Sequence, residues 1–180
     1  FGFVPEIIDQ RFDSPEPNPI VYMAVCHKIL FDEVDYHHSG SRIHKSDEMM
    51  QKLSGDCEDH AALLATLFKA CGLDAAILQV SVKNSSTNHI ITQVKNPLHS
   101  IEETCDSLRR FYFNQFNIFP KEIGYEKRRG NYWIVADTAG DENAGWSEYI
   151  GDISSHTGEC LERTKSGSWE WGDLRARTEV

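Results

Sequence analysis

The sequence predicts an α+β fold in which a central helix packs on an antiparallel β-sheet. Apolar residues recur at helical spacing from about Cys57 to Cys71, which indicates a buried helix. The β-prone runs AAILQVSV and HIITQVK then flank a turn-rich segment, as in an antiparallel hairpin. A third run, YWIVAD, follows further along the chain and indicates another strand of the same sheet.

Length and charge limit the classes of function. The chain has 180 residues and no evident linker, so we expect a single domain over residues 1–180. Its net charge of −10 argues against nucleic acid as a partner, because phosphate binding needs a basic face. No apolar run approaches the roughly 18 residues of a membrane span. Because the first residue is Phe1, we expect an excerpt or a processed chain, with compartment and oligomeric state left open.

The segments before the central helix are predicted in order. Residues 1–19 are punctuated by prolines and are expected to be irregular. Asn18-Pro19 is typical of an N-cap followed by the first helical position, and predicts a helix from Ile20 to about Leu30. The polar residues 31–45 predict a surface connection. Ser46, followed by two acids, predicts a short helix that ends near Lys52.

The segments after the hairpin are mixed. Ser100 and Glu103 have capping-box spacing and predict a helix from about Ile101 into an aromatic run at 111–113. A turn rich in Arg, Gly and Asn then leads into the strand that ends at Asp137. The acidic tail, 138–180, is expected to wrap around the surface, with disorder in its last residues.

Cys57 is the candidate nucleophile among the five cysteines. It lies in the first turn of the predicted helix, where unpaired backbone N–H groups and the helix dipole favour a thiolate. Asp56, Glu58 and Asp59 oppose this effect, because neighbouring negative charge disfavours the thiolate. We therefore expect a nearby imidazolium to offset them.

His89 and Asp137 are the candidate partners of Cys57. His89 opens the second strand of the hairpin, and Asp137 closes the strand YWIVAD. If these strands are neighbours in one antiparallel sheet, the two side chains meet at one end of it. The helix must then pack with its N-terminus at that end. Nucleophile, base and orienting carboxylate would form a thiol-catalysis arrangement.

Three strings resemble the catalytic blocks of the transglutaminase-like superfamily, namely SGDCEDHAALLATLFKACGLDA, NHIITQV and YWIVADTAGD. In that superfamily Gly-Asp-Cys opens the central helix. The resemblance covers about residues 46–141 and is nearest in character to bacterial and archaeal transglutaminase-like cysteine proteases. It implies a papain-like core with catalytic Cys57, His89 and Asp137, and we assign no cofactor.

Two features depart from that superfamily. Ile91 lies where its members often have an aromatic residue. The run from Asn96 to Asn131 is a long insertion between the second and third catalytic blocks. We expect this insertion to be a wide loop that carries substrate specificity or a lid that caps the site.

Two groups of acidic residues and histidines raise the question of a metal. In the bacterial proteases, acids that flank the cysteine help to hold calcium, and Asp56 and Glu58 match those positions. They can equally cap the helix, which we favour, so no metal is assigned. A second group lacks a fixed ligand spacing and is interpreted as a solvated loop. Its members are His27, Asp32, Glu33, Asp35, His37, His38 and His44.

The remaining candidates receive ordinary roles. His60 is expected to pack or hydrogen-bond, because the strand histidine fits the base better. Gln51 is a weak candidate for an oxyanion donor, and the backbone N–H of Cys57 is the stronger one. Asn84-Ser85-Ser86 is a glycosylation sequon without a known secretory context. The other cysteines are interpreted as structural thiols, with a disulfide only in an oxidising compartment: Cys26, Cys71, Cys105 and Cys160.

These observations predict a thiol enzyme that acts on amide or peptide bonds of a polypeptide through a thioester acyl-enzyme, most consistent with a cysteine peptidase or amidase. A protein-glutamine acyltransferase is the first alternative, and a non-catalytic protein-binding module on the same fold is the second. A deglycosylating amidase that resembles peptide N-glycanases lacks its paired CxxC zinc ligands here. The acid excess in residues 31–60 favours neutral or basic polypeptide substrates.

Overall fold

A computed structural model shows a five-stranded antiparallel sheet against which a central helix packs, which confirms the α+β prediction. The structure describes residues 4–12, 18–37, 46–81, 88–139, 148–152, 161–163, 169–171 and 174–179. Within these ranges, none of the helices combines the length and the apolar character that crossing a membrane requires.

Five helices occur in the described residues. They are α1 (Val4–Arg11), α2 (Pro19–Glu33), α3 (Ser46–Lys52), α4 (Cys57–Ala70) and α5 (Ile101–Phe116). The boundaries of α3 agree with the prediction, and α4 ends one residue earlier than predicted because Cys71 is its C-cap. Asn18 caps α2 as predicted, since its side chain accepts from the N–H groups of Ile20 and Val21.

The main sheet has the strand order β5-β6-β4-β3-β9, and all its neighbouring strands are antiparallel. Two small pairs accompany it, β1 with β2 and β7 with β8. The strands are β1 (Asp35–Tyr36), β2 (Ser54–Gly55), β3 (Ala75–Ser81), β4 (Asn88–Lys95), β5 (Tyr125–Arg128), β6 (Asn131–Ala136), β7 (Leu161–Arg163), β8 (Trp169–Trp171) and β9 (Leu174–Glu179).

Helix α4 is central because it contacts α2, β3 and β4. Leu63, Leu64 and Phe68 have no exposed surface and belong to the main core with residues of α2 and α5. Burial of side chains of this size contributes about 1.5–3 kcal/mol each. Apolar packing therefore fixes the helix, and with it the position of its first residue, Cys57.

The pairing of β4 with β6 brings the start of one strand to the end of the other. Thr92 pairs with Ala136 and Lys95 with Trp133, so the residues before Thr92 and after Ala136 lie at the same edge of the sheet. The Thr92 hydroxyl donates to the Ala61 carbonyl of α4 at 2.9 Å. Sheet register and a direct hydrogen bond thus locate β4 relative to α4.

The prediction that residues 1–19 are irregular is wrong for α1. Pro5 occupies the second position of this helix, where a missing N–H costs little because the first-turn N–H groups have no intrahelical acceptor. Ile8 is buried in the main core, and the ring of Phe12 packs on Phe111 of α5 at 5.6 Å between centroids.

Residues 31–37 are also more ordered than a surface connection. Helix α2 continues to Glu33, Val34 is buried, and β1 then pairs in parallel with β2, immediately before α4. The interpretation of His27 as part of a solvated loop is wrong, because this residue lies within α2 with no exposed surface. His38 and His44 lie outside the described residues.

The insertion between the second and third blocks is neither a wide loop nor a lid. It contains the predicted helix, which extends as α5 to Phe116, and the strand β5, which was not predicted. Tyr112 of α5 is fully buried, donates to the Ala24 carbonyl at 3.3 Å and accepts from the Ile150 N–H at 3.1 Å. The insertion therefore forms part of the core that supports α2.

The tail contributes more than a surface wrap. Strand β9 pairs with β3 and forms one edge of the main sheet, and β7 pairs with β8. The apolar alternation in these short strands is weak, so the sequence did not predict them. Cys160 and the sequon at 84–86 lie outside the described residues.

Candidate active site

His89 and Asp137 meet at the end of the sheet where strand β4 begins and strand β6 ends. His89 Nε2 lies 2.8 Å from Asp137 Oδ2. A carboxylate oxygen only accepts, so Nε2 carries the hydrogen in this bond. The second carboxylate oxygen, Oδ1, accepts from the Ala139 N–H at 3.0 Å. The Asp137 side chain is only 2% exposed, so both oxygens are held in fixed directions.

Cys57 is the first residue of α4 and lies against the same imidazole. It is partly exposed, whereas Cys26, Cys71 and Cys105 are buried; all four are free thiols. Its side chain hydrogen-bonds to His89. Because Nε2 already faces Asp137, the thiol is left with Nδ1. The structure thus brings together the three residues that the sequence selected, in the order Cys57, His89, Asp137.

The charge state of His89 follows from its neighbours. Burial by itself would lower the pKa of the imidazole, but the Asp137 carboxylate, the hydrogen bond to it and the Cys57 side chain outweigh burial and raise the pKa to about 10. The side chain is 17% exposed, so solvent screens these interactions only weakly. His89 is therefore an imidazolium at neutral pH, which is the cation that the acidic surroundings of Cys57 require.

The acids around Cys57 cap its helix. The Asp56 carboxylate accepts from the N–H groups of Glu58 and Asp59, and the Asp59 carboxylate accepts in return from the Asp56 N–H at 3.3 Å. Asp56 and Asp59 thus form a reciprocal capping box. Burial, and then the charges of Asp56 and Asp59, raise the pKa of Glu58.

Helix capping leaves the Cys57 N–H available as a donor. The capping carboxylate takes the second and third N–H groups of α4, and the first N–H of a helix has no intrahelical acceptor. A donor at this position can stabilise negative charge that develops on a carbonyl attacked by the adjacent sulfur. Gln51, the weaker candidate for this role, is an exposed residue of α3.

Gly55 allows the close approach of α3 and α4 just before Cys57. A Cβ atom at this position would lie 2.6 Å from the Cβ of Asp59 and 2.9 Å from the Cε of Met49. Both neighbours are buried and cannot move aside freely. The glycine of the Gly-Asp-Cys string is therefore required by packing.

His60 supports the loop that carries Asp137, so the expectation of a hydrogen-bonding role is confirmed. It lies one turn after Cys57 in α4, is 1% exposed, and places Nδ1 3.1 Å from the hydroxyl of Thr138. Burial lowers the pKa of His60, although the Asp35 carbonyl and the charges of three aspartates partly oppose it. Helix α4 thus contacts Thr138, the residue directly after Asp137.

His27 also contacts a residue of the candidate site, which its sequence position did not predict. Its Nε2 lies 3.0 Å from the backbone carbonyl oxygen of Asp137, a residue 110 positions later in the sequence. Burial lowers the pKa of His27 to about 4, against the opposing effects of the Asp137 backbone and of the Asp137 and Asp152 charges. The only signal in the sequence was a histidine in the apolar helix PIVYMAVCHKIL.

No metal centre accompanies these groups in the described ranges, which contain no set of three His, Cys, Asp or Glu side chains arranged to hold an ion. The Cys26 and Cys71 sulfurs lie 3.8 Å apart at the far end of α4 from Cys57, as a buried pair of thiols. They take no part in the site at the sheet edge.

A comparison with protein families finds similarity to a peptidase-like domain. Residues 42–119 match the family of CEP76 peptidase-like domains. The matched segment includes Cys57 and His89 and ends before Asp137. It covers less than half of the chain, so similarity to a peptidase-like domain is what the match establishes.

One solved structure shows a weak overall similarity. It is a candidate cysteine protease from Cytophaga hutchinsonii, with a TM-score of 0.45 and 13% sequence identity. The alignment covers 98% of this chain and 50% of that chain, so the chain spans half the length of the solved protein. Among curated proteins there is no match.

Proposed function

We propose that this protein is a cysteine peptidase or amidase that acts on polypeptides through Cys57, His89 and Asp137. The observation that carries the proposal is the pair of contacts made by His89, whose Nε2 lies 2.8 Å from Asp137 Oδ2 while its ring also hydrogen-bonds to Cys57. The peptidase-like match over residues 42–119 supports the same class of function.

In the acylation step, the Cys57 thiolate attacks the carbonyl carbon of an amide and forms a carbon–sulfur bond. The carbonyl π electrons move to oxygen, and the oxyanion accepts a hydrogen bond from the Cys57 N–H at the start of α4. When the oxyanion collapses, the carbon–nitrogen bond breaks. The imidazolium of His89 gives the Nδ1 proton to the departing amine, which leaves a thioester and a neutral imidazole.

In the deacylation step, neutral His89 takes a proton from a water molecule, whose oxygen attacks the thioester carbonyl. The carbon–sulfur bond then breaks to release a carboxylic acid, and the thiolate–imidazolium pair is restored. Asp137 holds the imidazole through Nε2 in both steps and stabilises its cationic form. An amine in place of water would give transfer instead of hydrolysis.

The substrate is expected to be a neutral or basic polypeptide. Residues 31–60 contain eight acids against three bases, and Glu58 lies partly exposed beside the nucleophile. The resulting field attracts positive charge over roughly 8 Å at physiological salt. A basic fluorogenic peptide should therefore be cleaved faster than an acidic analogue at low salt, with the difference shrinking at high salt. Equal rates for both peptides at low salt would contradict this preference.

The experiment that tests the proposed function uses fluorescein-labelled casein as a general polypeptide probe. Release of small fluorescent fragments by the wild-type chain, and its loss in Cys57→Ser and in His89→Ala, would support hydrolysis. Tyr112→Phe is the matched control, because it removes hydrogen bonds in the core and none in the site.

A second arm separates hydrolysis from transfer and from binding without turnover. Incorporation of dansylcadaverine into casein, dependent on Cys57, would replace the peptidase proposal with an acyltransferase. Saturable binding of casein with neither cleavage nor incorporation, unchanged in Cys57→Ser, would overturn catalysis and leave a binding module.

A further inference from the structure

We infer that His27 is a positioning residue for the reaction, which holds Asp137 in register with His89 by donating a hydrogen bond to the Asp137 backbone carbonyl. This inference rests on the proposed catalytic triad. It concerns a residue of α2, an element that carries none of the three triad members, and it gives a reason for a histidine in the apolar core.

His27 is completely buried in apolar surroundings. Its side chain has no exposed surface, and its neighbours in α2, Met23, Ala24, Cys26 and Leu30, are apolar and almost completely buried. Burying an imidazole in such surroundings costs free energy unless a hydrogen bond compensates for lost solvation. The Asp137 carbonyl, 3.0 Å from Nε2, supplies that bond. An apolar side chain would serve core packing alone at lower cost.

The His27 ring is neutral and carries its hydrogen on Nε2. A carbonyl oxygen only accepts, so Nε2 must carry the hydrogen. The charges of Asp137 and Asp152 raise the pKa of His27 and that of Lys28 lowers it, and burial outweighs the two acids, so the ring is neutral at neutral pH. Nδ1 is then an unprotonated nitrogen and makes no hydrogen bond within the described residues. His27 therefore acts as a fixed neutral donor.

The hydrogen bond from His27 is made at the residue that directly follows β6. Asp137 follows the last residue of β6, so its peptide group leaves the regular ladder at this point. His27 fixes the carbonyl of residue 137, the Ala139 N–H fixes Oδ1, and His60 contacts the hydroxyl of Thr138. These three contacts orient the Cα–Cβ bond of Asp137, and through it the oxygen that faces His89.

The test compares His27→Leu, which has no donor, with His27→Gln, whose amide nitrogen can donate from a position near that of Nε2. Leu30→Ala, a cavity variant in the same helix, is the control for general loss of packing. The readouts are the NMR titration of the His89 ring and the rate at which iodoacetamide alkylates Cys57 at pH 6. Neither requires turnover.

The expected result is that His27→Leu lowers the pKa of His89 by about one unit, a part of the 1–3 units that a neighbouring carboxylate supplies. Alkylation of Cys57 should slow by roughly 10- to 100-fold, the effect of a misplacement near 1 Å. His27→Gln should restore both readouts, and Leu30→Ala should move neither. An unchanged His89 titration in His27→Leu, or equal effects of His27→Leu and Leu30→Ala, would overturn the inference.

Two further outcomes are decisive. If His27→Leu does not fold, the wild-type chain still tests the inference, because long-range ¹H–¹⁵N spectra must show His27 neutral and protonated at Nε2. A charged ring or protonation at Nδ1 would overturn it. If wild-type protein fails to cleave casein while the His89 titration still responds to His27→Leu, the proposed function fails and the positioning role of His27 stands.

Discussion

His89 and Asp137 lie 48 residues apart in the sequence and form a 2.8 Å hydrogen bond between Nε2 and Oδ2. The bond exists because β4 and β6 are antiparallel neighbours, with Thr92 opposite Ala136. It raises the pKa of a mostly buried imidazole that burial alone would keep neutral. The charge of His89 therefore depends on the pairing of β4 with β6, and this dependence can be measured.

Asp137→Asn should lower the pKa of His89 from about 10 to its ordinary value near 6.5 or below. Asparagine keeps the shape of the side chain but removes the charge, so the largest effect that opposes burial is lost and only the Cys57 side chain still raises the pKa. The measurement is an NMR titration of the His89 ring protons. Asp152→Asn is the matched control, because Asp152 is a buried acid that acts on His27 and not on His89. Titration near pH 10 in Asp137→Asn would show that the Asp137 contact does not determine the charge of His89.

The same bond should make stability depend on pH. The folded-state pKa of His89, about 10, lies above its unfolded value near 6.5, so the bond's contribution is fully present below pH 6.5 and is lost as the pH rises to 10. In a Cys57→Ser background, the free energy of unfolding of the chain with Asp137 should exceed that of Asp137→Asn by a few kcal/mol at pH 6.5. Urea titrations should show this difference shrinking towards pH 10, whereas a difference that is constant or grows would refute the assignment.

Gly55→Ala should destabilise the protein by about 1–3 kcal/mol, because the added methyl group overlaps Asp59 and Met49. Displacing Asp59 also weakens the capping box, so alkylation of Cys57 should slow. Gly72→Ala is the control at the opposite end of α4. It has open space around the added methyl group and meets only the cost of a positive φ, so it should lower stability without affecting Cys57. Equal alkylation rates in the two variants would remove the link between Gly55 and the site.

Tyr112→Phe should lower the free energy of unfolding by about 1–3 kcal/mol, because it removes the hydrogen bond to the Ala24 carbonyl and leaves the buried Ile150 N–H without its hydroxyl acceptor. Denaturant unfolding measures this loss. Casein cleavage by the folded variant should equal that of the wild type, since the hydroxyl contacts no residue of the site. A loss of cleavage with unchanged stability would mean that α5 acts on the site directly.

Much of the site was predictable because its residues lie at the ends of strongly patterned elements. The apolar period of 57–71 and the alternation around His89 and Asp137 define one helix and two strands, and antiparallel pairing brings their ends together. The pairing of β4 with β6, and the packing of the helix with its N-terminus at that end of the strands, had to be assumed. The capping interpretation of Asp56 likewise follows from local chemistry, and the hydrogen bonds bear it out.

The errors lie where tertiary contacts outweigh local pattern. Proline in α1 signalled irregular chain, although its position in the first turn is compatible with a helix. Strand β9 pairs with the edge of β3, and no local pattern in residues 174–179 predicts this pairing. His27 was grouped with nearby polar residues by sequence distance, whereas its partner, Asp137, is 110 residues away. Such a contact cannot be read from one sequence.

The rate at which iodoacetamide alkylates Cys57 at pH 6, followed by mass spectrometry in the wild type and in His89→Ala, tests the central claim most directly. If His89 is the imidazolium partner of Cys57, wild-type Cys57 should react faster than N-acetylcysteine, and His89→Ala should slow it by roughly 10- to 100-fold. The buried thiols Cys26, Cys71 and Cys105 should react slowly in both proteins. A Cys57 that reacts at the same rate with and without His89 would contradict the account.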